Sequence, residues 1–181
     1  MAKIKLTKNE QKKQKDSLKQ FTRYLPTLQL KKQQLQTVIR QSYAEIEELK
    51  VKQKEAVEGM KSWIAVYGEN SSWSEERSIS HLVKVKEVKK TKGNIAGVEV
   101  PVFQSLVFED VPYDLRVYPL WVDKAIVALG EIARYDALIE TLKERIRLLD
   151  KELRTTTQRV NLFEKVKIPE AKENIRKIGI Y

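Results

Sequence analysis

Apolar residues recur at alternating steps of three and four from Tyr118 to Phe163: Tyr118, Trp121, Ala125, Ala128, Ile132, Tyr135, Ile139, Leu142, Ile146, Leu149, Leu153, Thr156, Val160 and Phe163. Only Thr156 breaks the apolar character. Apolar first and fourth places of a seven-residue frame, sustained this long, mark a coiled-coil seam. A helix of this span is roughly 70 Å long at about 1.5 Å per residue, and needs a partner of similar length.

A second frame near the N-terminus meets that need: Leu18, Phe21, Leu25, Leu28, Lys32, Leu35, Ile39, Ser42, Ile46, Leu49, Gln53, Ala56, Met60 and Trp63. Lys32, Ser42 and Gln53 are its polar places. The two windows have equal length and lie at mirrored distances from the chain ends. An antiparallel pairing then sets Leu18 near Phe163 and Trp63 near Tyr118. The predicted fold is mainly α: a long antiparallel two-helix coiled coil with a small β-hairpin head. Its parts are an N-terminal helix at 1–66, a head at 67–117 and a C-terminal helix at 118–181, forming one structural unit.

Between the helices the period changes. Gly68 ends the first helix, and the polar stretch from Glu69 to Ser74 reads as a loop. Val83 and Val85 then alternate with Lys84 and Lys86, and Val98, Val100 and Val102 alternate with Glu99, Pro101 and Phe103. This is a β-hairpin pattern over about 80–108, with Lys92 to Gly97 as its turn and Pro101 on an edge strand. An isolated two-stranded hairpin is marginal in water, so it must dock on something. Pro119 fits the first turn of the second helix. Pro26 and Pro169 are expected to bend their helices.

Charge sharpens the picture. The formal net charge is +10 over 181 residues, with no cysteine. Residues 1–40 carry eleven Lys and Arg against Glu10 and Asp16, and residues 165–181 add five against Glu170 and Glu173. An antiparallel hairpin gathers both basic segments at one end, which should seek something acidic. The absence of cysteine rules out disulfides and thiol chemistry. No signal-peptide core and no apolar run of membrane-spanning length appears, which predicts a soluble, cytoplasmic chain.

The residues offer little for catalysis. His81 is the sole histidine and falls on a predicted strand. No phosphate-binding Gly-rich loop is present, and Glu47-Glu48 reads as a solvated helix face. Neither a cofactor nor a metal is implied. From the residues alone this is an antiparallel coiled-coil structural protein with a basic tip. A basic nucleic-acid-binding coiled coil remains open, although it leaves the hairpin unused, and so does a membrane-surface or cytoskeletal adaptor.

Two segments carry a resemblance: Leu25-Pro26-Thr27-Leu28-Gln29-Leu30-Lys31-Lys32-Gln33-Gln34-Leu35, and Gln158 to Pro169 with its Arg-Val-Asn-x-x-Glu-x-x-x-Ile-Pro pattern. They resemble the D subunit of V-type (A/V-type) rotary ATPases, in the bacterial branch, and the likeness runs over nearly the full length. The resemblance implies a non-catalytic central rotor shaft that couples ATP synthesis or hydrolysis to proton or sodium transport. It implies as partners the catalytic A and B subunits of the ring, the F subunit, and a funnel-shaped adaptor on the membrane rotor, with contact to the membrane only through the complex. It implies that Lys8, Lys12, Lys13, Lys15, Lys165, Lys167, Arg176 and Lys177 form a tip inside the ring. Ile126, Leu129, Ala133 and Leu138, with Val83, Val85 and Val100 of the hairpin region, would face the F subunit. The seam would be Leu18, Leu25, Leu35, Ile39, Ile46, Leu49, Ile132, Ile139, Leu142, Ile146, Leu149, Leu153, Val160 and Phe163.

Overall fold

A computed structural model of the chain describes residues 6–67, 79–114, 116–118 and 121–180, with backbone only at 62–67 and 80. Helix α1 (Lys8–Tyr67) opens on a capping motif, in which Glu10 N donates to Thr7 Oγ1 at 3.3 Å and Gln11 N to Thr7 O at 3.0 Å. A 3₁₀ turn at Ile79–His81 leads to strands β1 (Val85–Ile95) and β2 (Val98–Phe108). Helix α2 (Val122–Leu162), a π turn (Phe163–Lys167) and helix α3 (Ile168–Ile180) complete the chain. The architecture is two long helical segments with one small antiparallel hairpin. The expected ends near Gly68 and Pro119, and the pairing of the Trp63 side chain, lie outside the described residues.

The chain forms two compact units, Met1–Ile39 with Leu149–Tyr181, and Arg40–Leu148. In the first, the N-terminal part of α1 runs antiparallel to the end of α2 and to α3. Lys31 Nζ meets Glu152 Oε1 at 2.6 Å, Phe21 stacks on Phe163, and Asn174 Nδ2 donates to Gln14 Oε1 at 3.4 Å. The direction is as expected, and Phe163 meets Phe21, one turn along α1 from the Leu18 expected near it. The seam residues Leu35, Ile39, Leu149 and Val160 are buried, and Leu18, Leu25, Leu153 and Phe163 half-buried.

Pro26 lies inside α1, which continues unbroken through it. Pro169 acts differently. A proline cannot donate to the carbonyl four residues earlier, and its ring crowds that carbonyl. The turn just before it widens, and Ile168 N donates to Phe163 O, five residues back. One residue is thereby inserted into the frame. Continued from Phe163, the seven-residue pattern would place Glu170, Asn174 and Lys177 on the seam. Asn174 is buried there, but Ala171 and Ile178 take the buried places of Glu170 and Lys177.

In the second unit the seam on α1 includes Ser42 and Ile46, and that on α2 includes Ile139, Leu142 and Ile146, all buried. Ser42 is small enough to sit in the seam at 2% exposure. Gln53, also on the seam, donates through Nε2 to Asp136 Oδ1 at 2.6 Å. The hairpin is longer and its turn tighter than the sequence suggests. Ala96 (φ 51°) and Gly97 (φ 81°) alone reverse the chain, the double positive φ of a type I′ turn. Lys92 to Ile95 belong to β1. Gly93 is a packing glycine instead: a Cβ there would lie 2.8 Å from Val102 Cγ2. Pairing runs from Ile95↔Val98 to Val85↔Phe108, with register shifts between Val85 and Glu87 and between Lys89 and Lys90. These bulges break strict alternation along both strands. The hairpin touches α2 through Lys90 Nζ and Glu144 Oε2 at 2.8 Å, and Phe108 approaches Gly130.

Candidate functional surfaces

The predicted basic residues all fall in the first unit. Lys8, Lys12, Lys13 and Lys15 occupy the exposed first turns of α1, and none pairs with a described carboxylate. Lys165 is likewise exposed and unpaired among the described residues. Lys167 lies 3.7 Å from Glu170, while Arg176 and Lys177 share Glu173 at 3.1 and 3.8 Å. The hydrogen bond from Arg176 holds the Glu173 carboxyl below the usual glutamate range. Five of the eight predicted cations are thus exposed and unpaired among the described residues. By sequence this unit holds eighteen Lys and Arg against seven Asp and Glu, a net +11, and the other unit is −1.

The apolar flank divides in the second unit. Val83 and Ile126 line a cavity of about 370 Å³ with Leu82, Phe108, Val111 and Val127. Glu109, Asp110, Glu131 and Arg134 form its polar lining, and Val127 is 68% exposed. Tyr113, on the same wall, donates its hydroxyl to Asp123 Oδ1, which raises the Tyr113 pKa. Leu138 lines a separate cavity of about 290 Å³, between α1, α2 and β2. Leu129 and Ala133 are half-buried, and Val85 is 47% exposed. Val100 is 2% exposed and belongs to the hairpin's own packing.

Sequence reasoning missed both cavities and Arg145. A cavity arises where elements distant in sequence meet, and no local period encodes it. His81, expected on a strand, ends the 3₁₀ turn and is exposed. No described helix is long and apolar enough to cross a membrane.

Antiparallel helix pairing along an apolar seam, a side hairpin and one strongly basic unit define a coiled-coil structural protein. Comparison with known proteins specifies which kind. The profile of the ATP synthase D-subunit family matches residues 10–181. The chain is 48% identical to the V-type ATP synthase D subunit of Borreliella burgdorferi, over 100% of this chain and 87% of that protein. It is 35% identical to the D subunit of the V-type ATP synthase of Chlamydia abortus, covering 98% and 84%, and 34% identical to that of Chlamydia muridarum, covering 98% and 86%. The chain belongs to the ATP synthase D-subunit family, whose members are non-catalytic components of the central stalk.

Proposed function

We propose that this chain turns as the shaft of a V-type ATP synthase, with its basic unit inside the ring of A and B subunits. In this reading, rotation couples ATP synthesis or hydrolysis in that ring to proton or sodium transport. The apolar flank and hairpin of the second unit meet the F subunit, and the funnel-shaped adaptor joins the shaft to the membrane rotor. The chain is then peripheral to the membrane, held there by the complex.

The observation that carries this reading is the net +11 of the first unit, where five of the eight predicted tip cations are exposed and unpaired among the described residues. A shaft tip must turn past several ring subunits without locking onto one. Exposed ammonium groups on long stems attract an acidic sleeve over several ångströms without fixing a pocket-like contact. Torque also requires that paired helices not slide, and a seam of leucines and isoleucines resists that, each contributing roughly 1.5–3 kcal/mol before entropy costs.

The test replaces Lys8, Lys12, Lys13, Lys15, Lys165, Lys167, Arg176 and Lys177 with glutamine and follows assembly with the A/B ring across ionic strength. Weakened insertion, mimicking high salt, is expected. Unchanged assembly at every ionic strength would overturn the assignment of the tip.

A further inference from the structure

Among the described residues, one buried side-chain polar atom lacks a hydrogen-bond partner: Nε of Arg145. The arginine side chain is 17% exposed, and Glu45 Oε2 stands 3.9 Å from its Nη1, too far for a hydrogen bond. Arginine is a charged fork of donors, and on its buried side this one lacks the acceptors such donors need. Neighbouring acids do not supply them. Glu144 is committed to Lys90 at 2.8 Å, and Glu45, 56% exposed, keeps much of its surface in water.

Arg145 lines the cavity of about 290 Å³ beneath the hairpin. Val102, Phe103, Leu138 and Leu142 give that cavity apolar walls, and the exposed Glu48 and Lys52 stand on its α1 side. A guanidinium set among aliphatic and aromatic walls suits an acceptor carried on a hydrophobic body. A carboxylate matches the fork of the guanidinium with two parallel bonds. A phosphate would bring more negative charge against Glu45 and Glu48. A free small anion meets the same two carboxylates and gains little from the apolar walls. A carboxylate tethered to a docking segment is held in place by the contacts of its neighbours.

We propose that Arg145 anchors an acidic side chain of a partner protein in the complex, presented on a segment whose apolar neighbours fill the cavity beneath β2. This rests on the reading of the flank around Leu138 as a partner-binding face. It adds the anchoring residue and the chemistry that the partner must offer.

Calorimetric titration of the full-length chain with purified F subunit, paired with thermal unfolding of the chain alone, tests it. Arg145→Gln and Arg145→Met are expected to lower affinity by about tenfold or more, with Arg145→Lys intermediate. The melting temperature of the isolated chain should hold or rise, because an unsatisfied charge has been removed. A merely structural arginine would give the opposite sign, a loss of stability with affinity preserved. Binding of wild type and Arg145→Met within twofold of one another overturns the anchor while leaving the flank as a partner face. Failure of the wild-type chain to bind the F subunit overturns the flank reading and the anchor with it. Saturable binding of propionate, lost in Arg145→Gln while affinity for the F subunit is unchanged, would assign the cavity to a free carboxylate and overturn the proposal.

Discussion

Phe21 and Phe163 face each other across the first unit with ring centroids 5.2 Å apart and planes tilted by 38°. The pair lies immediately before the widened turn, and both rings are half-buried. Tilted aromatic pairs couple by about 0.5–1.5 kcal/mol beyond the area they bury. A double-mutant cycle with Phe21→Ala and Phe163→Ala, followed by urea unfolding, should return a coupling in that range. Each single substitution should cost about 2 kcal/mol, less than a fully enclosed phenylalanine would.

Ala96 has φ 51° at the hairpin tip, where the type I′ turn favours asparagine followed by glycine. For a residue with a Cβ this conformation costs about 1–2 kcal/mol, and asparagine relieves part of that. Ala96→Asn is expected to stabilise the hairpin by up to about 1 kcal/mol. Amide exchange should slow along β1 and β2 and remain unchanged in α3.

Gly93→Ala should act in the opposite direction. Its new Cβ would stand 2.8 Å from Val102 Cγ2, and a β-branched side chain has little freedom to turn away. Overpacking of this kind costs about 1–3 kcal/mol. Loss of exchange protection in the hairpin, recovered by adding Val102→Ala, is the expected pattern.

Acid should loosen the contact between Lys90 and Glu144. The hydrogen bond from Lys90, and next its charge, lower the Glu144 pKa from the ordinary 4.5. A depressed carboxyl contributes fully above its unfolded pKa and loses that contribution as pH falls through the folded value. Carbon NMR of the Glu144 carboxyl should show a midpoint below the usual glutamate range, rising in Lys90→Met. An ordinary midpoint in the wild type would contradict the contact.

Much of this fold was legible because a seven-residue frame states which face of a helix is buried. Leu35, Ile39, Ile46, Ile139, Leu142, Ile146 and Leu149 are buried as that frame requires. A frame does not state how far one helix is displaced along the other, so the pairing of Phe21 with Phe163 could not be read from it. Gly93 misled in another way: a glycine read as turn chemistry is there because Val102 leaves no room for a Cβ. The basic surface of the first unit could be counted from composition. Arg145 could not be singled out, since its significance lies in walls supplied by β2 and α1 together.

The wide turn at Phe163–Lys167 works as a phase adjuster written into the backbone. Upstream and downstream residues obey different numbering rules, and one surplus amino acid reconciles them. Closing it into an ordinary α turn with every residue kept would rotate everything beyond by about 100°. Glu170 and Lys177 would swing toward Gln11 and Gln14, while Ala171 and Ile178 met solvent. The cations around Pro169 therefore owe their outward aim to that one additional residue.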